Sequence, residues 1–308
     1  MTQALVLLNP FAGGGRTLAL EGEIRARLRA DHAGARFVVA STVDEGLALI
    51  RDSQQDARVV LIGGDGTVNR MLPALVNSHR SLGIVPAGSG NDGARALGVY
   101  GLPWTDALAH ALRGEAAPMD LGWLSFASPG ADERSDRAFR EVPFLACCTC
   151  GFDSAVALRA LNGPRWLRGL PRYLLATLRE LIALRHWQLT VQCEGKLLRA
   201  GSALFASVLN TSTFGSGIPA VPHADPMDGQ LDLLVASRFS RASAMVMLPR
   251  LLTGRHLSDA RLYTAPFREL DVHATPAVPL AVDGEYLGET LHAYISVLPG
   301  GLSVVARR

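Results

Sequence analysis

Along the first part of the chain, short and fully apolar runs alternate with amphipathic stretches. Ala4 to Leu8 is one such run; it ends in Asn9-Pro10 and a glycine cluster, and a helical spacing follows at Leu20, Ile24 and Leu28. Phe37 to Ala40 predicts the second strand, with a helix from about Asp44. Val59 to Ile62 predicts the third, closed by Gly63-Gly64-Asp65-Gly66 before a helix from about Val68. Leu82 to Val85 predicts the fourth, closed by Pro86-Ala87-Gly88 ahead of a helix through Ala94 and Leu97. Apolar strands without polar alternation, separated by helices, imply a mostly parallel sheet covered on both faces.

The texture changes after Asp120-Leu121-Gly122. Apart from one helical stretch, the segments become strand-like: Phe144 to Cys148, Gln188 to Cys193, Ala203 to Leu209, Leu231 to Ala236, Leu270 to His273, Leu280 to Val282 and Leu291 to Val297. Glu194-Gly195, Asp228-Gly229 and Asp283-Gly284 read as turns between them. The expected fold is therefore an α/β N-terminal domain with a doubly wound, mostly parallel sheet, followed by a predominantly antiparallel β-sandwich domain. The boundary falls at residues 1–122 against 123–297. A last strand at about Leu302 to Ala306 leaves open whether 298–308 completes the first domain. Ser125 to Glu141, rich in Ser, Pro, Gly, Asp and Arg, reads as an exposed, mobile excursion.

Composition adds exclusions. The 308 residues carry 30 Lys and Arg against 28 Asp and Glu, a net charge of +2, which gives no electrostatic case for nucleic-acid binding. Only one of the cations is a lysine, Lys196 in Glu194-Gly195-Lys196, and no G-x-x-x-x-G-K-[ST] loop occurs, so a P-loop nucleotidase is excluded. A coding bias towards arginine accounts for the imbalance. No apolar stretch approaches the roughly 18–20 residues of a membrane span, and the N-terminus has no signal-peptide pattern. Three of the four cysteines crowd into Cys147-Cys148-Thr149-Cys150 within an apolar run, which fits a buried strand better than a disulfide framework or zinc site. A reducing, cytoplasmic setting is the expectation.

Three of the four early strands end in glycine loops: Asn9-Pro10-Phe11-Ala12-Gly13-Gly14-Gly15-Arg16, Gly63-Gly64-Asp65-Gly66-Thr67-Val68-Asn69, and Pro86-Ala87-Gly88-Ser89-Gly90-Asn91-Asp92. At the carboxyl edge of a doubly wound sheet, such loops bring backbone N–H groups and helix N-termini to phosphate oxygens. Each could singly be a structural turn; three on one edge point to a phosphate ligand. The third contains G-x-G-x-x-G at Gly88, Gly90 and Gly93. A dinucleotide fingerprint belongs to the first strand, however, with an acidic residue ending the next one, and that is missing here.

Together, Asn-Pro-x-x-Gly, Gly-Gly-Asp-Gly-Thr-x-Asn and Pro-x-Gly-[ST]-x-Asn-Asp resemble the diacylglycerol kinase catalytic domain shared by bacterial lipid kinases, sphingosine kinases and ceramide kinase. The likeness runs on through Asp120-Leu121-Gly122, Gly151-Phe152-Asp153, Asn210 to Leu233 and Val282-Asp283-Gly284-Glu285. It implies an ATP- and Mg²⁺-dependent lipid kinase that phosphorylates a hydroxyl of diacylglycerol or a related lipid, the second domain holding the acyl chains. The implied ATP contacts are Asn9, Pro10, Phe11, Ala12 and Gly13; Thr42, for which a helix cap is the alternative; Gly63, Gly64, Asp65, Gly66, Thr67, Val68 and Asn69; and Ser89. Ser89 keeps the hydroxyl of the family's usual Thr. Arg70 reverses a common Glu, and Gly93 stands where the family often has an aromatic.

Phosphoryl transfer needs positioning, charge neutralisation and a carboxylate to accept the acceptor's proton. Glu285 matches the family's proton acceptor, although Asp-Gly is also an ordinary hairpin turn. Asp65 and Asp283 are candidates for holding catalytic Mg²⁺ or orienting the acceptor. Asp225-Pro226-Met227-Asp228-Gly229-Gln230 resembles the family's second metal site, which carries over to Asp228, Asp225 and Gln230; His223 would add a transition-metal ligand or is an ordinary loop histidine. Pro164 to Trp187 combines Arg165, Arg168, Arg172, Arg179 and Arg185 with Trp166, Tyr173 and Trp187, and sets Leu170, Leu174, Leu178, Leu181 and Ile182 on an apolar helical face. That suits peripheral contact with an anionic inner-membrane face, or a helix packed on the second sheet. A homodimer is left open. The rivals are a soluble kinase of the NAD-kinase type, a non-catalytic nucleotide- or lipid-binding regulator, and a Rossmann oxidoreductase that would bind a nicotinamide cofactor.

Overall fold

A computed structural model describes residues 4–130, 139–164 and 166–307. The chain divides into two compact units: one from the N-terminal strand to Met119 together with Gly300 onward, the other Asp120–Pro299.

In the first unit the apolar runs form β1 (Ala4–Leu8), β2 (Arg36–Val39), β3 (Arg58–Gly63) and β4 (Ser81–Pro86). Between them lie α1 (Arg16–Ala19), α2 (Glu21–Asp31), α3 (Val43–Asp52) and α4 (Asp65–Leu75); α5 (Asp92–Ala96) and α6 (Trp104–Arg113) follow β4. The strands are parallel in the order β4-β3-β1-β2. Val6, Leu8, Val60, Ile62 and Val85 pack with Ile24, Leu28, Ala107 and Leu108 of the helices. That burial, about 25 cal/mol per Å² of apolar surface, favours strands apolar on every side chain. Chain order reverses between β1 and β3, and in such sheets ligands sit at the carboxyl ends beside this reversal. The turns after β1 and β3 are the first two glycine loops.

The second unit contains β6 (Phe139–Phe144), β7 (Cys147–Gly151), α7 (Phe152–Leu161), α8 (Leu170–Ile182), β8 (Trp187–Cys193), β9 (Lys196–Leu209), β10 (Leu231–Ser237), α9 (Arg241–Leu252), β11 (Leu262–Phe267) and β12 (Glu269–Val282). Two strands cross the unit boundary in sequence, β5 (Ala116–Ala127) before β6 and β13 (Glu285–Val305) at the end. Pairing is antiparallel along β11-β10-β9-β7-β12-β13, with β8 against β9 and β12, and β5 against β6. Phe126, Phe144, Val191, Val208, Leu233, Val272 and Ile295 are buried in one apolar cluster. The end of β13 runs parallel to β4, Ser303 opposite Ser81 and Val304 opposite Leu82.

Several expectations need correction. Phe144 to Cys148 is two strands, because the chain turns at Leu145 and Ala146, whose N–H groups bond to the Asp283 carboxylate. Leu270 to His273 and Leu280 to Val282 are parts of one strand, β12, as Leu291 to Val297 and Leu302 to Ala306 are of β13. Among the described residues the second unit holds three α-helices, not one, since α7 and α9 carry weak amphipathic patterns. The excursion at Ser125 to Glu141 is strand at both ends: β5 continues to Ala127, which pairs with Phe139 of β6. Leu124 and Phe126 are buried on alternate positions there and override the polar composition. The rest of that stretch, 131–138, lies outside the described residues, as does Arg165.

Candidate active site

The three glycine loops of the first unit touch one another. Asn9 follows β1, and its Nδ2 donates to Thr67 Oγ1 in the first turn of α4, 2.8 Å away. Its Oδ1 accepts from Phe11 N, and its carbonyl accepts from Thr17 Oγ1. A Cβ on Gly64 would lie 2.7 Å from Gly88 Cα, and one on Gly13 would lie 2.8 Å from the Ala87 carbonyl oxygen. Glycine at these positions is what lets backbone meet backbone. Asp65 Oδ1 accepts from Gly93 N at 3.0 Å, tying the second loop to the third. Asn91, left-handed at φ 59°, folds its side-chain amide onto Gly88, accepting from its N–H and donating to its carbonyl.

Gly64 caps α4 and its carbonyl accepts from the N–H groups of Thr67 and Val68, while those of Asp65 and Gly66 at the helix start have no carbonyl within the helix. Pro10, Ala12, Val68 and Asn69 are buried beneath the loops, while Phe11, Gly66 and Ser89 are exposed. Arg16 donates from Nε to the Gly13 carbonyl. Thr42 caps α3, accepting from Glu45 N; a nucleotide role there would have to share that hydroxyl. The cradle of N–H groups, open where a side chain would obstruct, fits a polyphosphate.

In the second unit, Asp283 and Gly284 form the two-residue turn between β12 and β13, both at positive φ (46° and 83°). The Asp283 carboxylate accepts from the N–H groups of Leu145, Ala146 and Cys147 at 2.8, 2.7 and 2.9 Å. Three donors hold it as a brace for the turn before β7. Glu285 begins β13, half-buried and paired with Val282. A Cβ on Gly284 would come 3.0 Å from Tyr173 Oη of α8, so that hydroxyl stands beside the turn.

The Asp225–Gln230 loop is built from carboxylates. Asp225 Oδ1 accepts from Met227 N, Asp228 Oδ1 from Gln230 N, and Asp120 Oδ2 from Gly229 N. Asp120 also donates its own N–H to the Pro226 carbonyl. Burial pushes the nearby Asp232 carboxyl up; His223, 3.5 Å away, opposes this and Asp228 adds to it. Carboxylates with backbone carbonyls form a donor set that fits a hard divalent cation. Asp120, within β5, is not among the ligands expected from sequence; its signal there is the Asp120-Leu121-Gly122 motif.

Beside α8 and α9 the same unit has an apolar cavity, with about 640 Å³ of empty space counted out to open solvent. Its walls include Leu181, Phe205, Phe214, Leu234, Phe239 and Met247. Two titratable side chains line it. Burial pushes the Asp153 carboxyl up to about 7, although Ser207 donates to it at 2.9 Å. His256 Nε2 lies 2.8 Å from the Ala220 carbonyl, and burial pushes its imidazole pKa down. Its Nδ1 is buried with no partner among the described residues.

Residues 3–124 match the diacylglycerol kinase catalytic domain, and 146–306 match the YegS C-terminal NAD kinase beta sandwich-like domain. A diacylglycerol kinase of Mycobacterium tuberculosis is 31% identical, over 98% of this chain and 94% of that protein. One from Bacillus subtilis is 25% identical over 94% and 91%. Among solved structures, a Bacillus anthracis diacylglycerol kinase shares the fold at TM-score 0.69 and 16% identity, covering 99% of this chain and 97% of that one. Yeast NADH kinase does so at 0.57 and 11%, covering 100% and 84%. With its glycine loops, antiparallel second unit and near full-length likeness to these relatives, the chain belongs to the diacylglycerol kinase family and is a lipid kinase.

Proposed function

We propose that the protein transfers the γ-phosphoryl group of ATP to a hydroxyl of diacylglycerol or a closely related lipid. The observation that carries the acceptor class is the cavity beside α8 and α9: its walls are apolar and suit acyl chain, while Asp153 and His256 supply isolated polar points. A soluble dinucleotide acceptor would need a polar, charged surface instead. Leu178 and Ile182 of α8 and Met245 and Val246 of α9 are exposed on the two helices that wall the cavity. The apolar face expected from sequence is thus divided, Leu181 turning inwards and Leu178 and Ile182 outwards. With Trp166 80% exposed and Arg168, Arg179 and Arg185 nearby in sequence, this surface supports peripheral contact with an anionic bilayer.

In this reading the N–H groups of the Gly64–Gly66 turn and of the loops after β1 and β4 bind the triphosphate, and Asn9 and Thr67 fix the loop that carries them. Glu285 accepts the acceptor's proton as the hydroxyl oxygen bonds to the γ-phosphorus. The bond from that phosphorus to the β–γ bridging oxygen breaks, and ADP leaves. Mg²⁺ supplies charge neutralisation when bound. Asp65 is the carboxylate in the nucleotide loops that would hold it, and Asp225, Asp228 and Gln230 would hold a second, structural ion.

The test uses radiolabelled ATP, Mg²⁺ and mixed micelles of diacylglycerol, monoacylglycerol, sphingosine, ceramide or a polyprenol. Labelled phospholipid is expected, and Glu285→Gln should lower turnover by about a hundredfold or more while ATP still binds. Near-full turnover in that variant would overturn the base assignment. Label appearing in NAD and in no lipid would overturn the acceptor class, and ATP binding without transfer to any acceptor would mark a regulator.

A further inference from the structure

Away from the loops and turn assigned above, the outer face of β12 and β13 carries Asp271, His273 and His292. Asp271 and His273 alternate on β12, so both point to the same face, and His273 lies directly opposite His292 in the register. Thr190 and Gln192 of β8 flank the same two β12 positions from the other side. Paired strands on both sides of β12 hold the group on rigid backbone. The imidazoles stack face to face, 4.2 Å between centroids and 4° from parallel. His292 Nε2 lies 2.9 Å from Asp271 Oδ1. One ligating atom from each of the three residues lies within 4.8 Å of the others.

We infer that Asp271, His273 and His292 form a site for a borderline divalent transition-metal ion, Zn²⁺ being the ion whose chemistry fits it. Tetrahedral Zn²⁺ takes imidazole nitrogen and carboxylate oxygen at about 2.0–2.2 Å, so its ligand atoms stand about 3.4 Å apart. The rings, now 4° from parallel, would have to splay for their in-plane nitrogens to converge on one ion. The ion would take the place of the hydrogen bond between His292 Nε2 and Asp271 Oδ1. Because His273 is exposed, a water completes the fourth position. Nitrogen-rich ligands separate this site chemically from the oxygen-only Asp225–Gln230 loop, which suits Mg²⁺. Bound ion would clasp β12 to β13, the strands joined by the turn at Asp283 and Gly284.

The experiment uses the full chain, stripped with chelator and dialysed against Zn²⁺ with excess Mg²⁺ present. The expected result is one Zn²⁺ per chain, with a rise in melting temperature, and a Co²⁺ adduct with tetrahedral visible absorption. His273→Gln and His292→Gln should each weaken Zn²⁺ binding by more than about tenfold. Asp228→Asn should bind Zn²⁺ as the unaltered protein does. Absence of stoichiometric Zn²⁺, or binding undiminished in either histidine variant, would overturn the inference. If a histidine variant loses its circular-dichroism signature, Asp271→Asn decides the matter by the same measurement.

Discussion

Asp153 shows how much one side chain can carry. It sits two residues after the end of β7, against the apolar cavity, where burial pushes its carboxyl up to about 7. The ordinary value is 3.8. Between those two pH values the folded protein keeps a proton that the unfolded chain gives up, so this group's contribution to stability is full at low pH and is lost as pH rises. Asn at 153 removes the titration. The melting temperature of Asp153→Asn minus that of the unaltered protein should therefore climb from about pH 4 to about pH 7 and then level off. A difference that stays flat in pH would show that the carboxyl ionises normally in the fold. The sequence displayed Asp153 only as part of a family-like Gly-Phe-Asp; its environment depends on α8, β9 and α9 arriving at one place, which no local pattern encodes. The same holds for His256, Tyr173 and Asp120. Asp283 was legible as a turn residue, but not as a brace, because its three N–H partners lie more than a hundred residues earlier.

At the scale of elements, the parallel unit was easy to read. β1, β3 and β4 are almost wholly buried and end in glycine loops, so their existence is legible in the apolar runs, whereas the order β4-β3-β1-β2 comes only from the pairing. The second unit was read correctly as antiparallel, yet its long strands appeared as fragments. The Thr275-Pro276 step and the register shift between His273 and Val278 interrupt the periodicity of β12, as Pro299-Gly300 does in β13. The glycine loops give the sharpest element-level test. Gly88 has ordinary backbone geometry, and a Cβ there would lie 2.6 Å from Gly64 Cα and 2.8 Å from Asn91 Oδ1. Gly88→Ala must therefore separate the second loop from the third. A loss of about 1–3 kcal/mol in stability and a raised KM for ATP are expected, read by denaturant titration and steady-state kinetics. An alanine variant with unaltered KM would mean that loop contact is unrelated to nucleotide binding.

Taken whole, the molecule has no helix, among the described residues, that is long and apolar enough to cross a membrane. In the reading proposed above it reaches a membrane-borne substrate through the surface around α8, where exposed apolar and basic side chains coincide. Replacing Trp166 and Ile182 together with Ser should reduce co-sedimentation with vesicles rich in anionic lipid several-fold, and binding should weaken as salt rises. Turnover on a short-chain, water-soluble diacylglycerol should be spared. Equal sedimentation of variant and parent would remove this surface from consideration. The single lysine takes on a different meaning at this scale. Lys196 opens β9 on the exposed side of a hairpin, and the phosphate binding proposed above would rely on backbone N–H groups that no codon bias can remove.

β13 begins in one compact unit and ends in the other, where its last residues add a parallel strand beside β4. During synthesis, β4 emerges early and must wait for nearly the whole remaining chain before its neighbour exists. Until then it presents an unpaired edge, the kind of surface that recruits stray strands. Ser81 and Ser303, partners in the finished sheet, are separated by the entire second unit, and closing so long a loop is slow. The first unit is therefore finished last although it is made first, and a chain that stalls late in translation leaves behind a sheet with one side open.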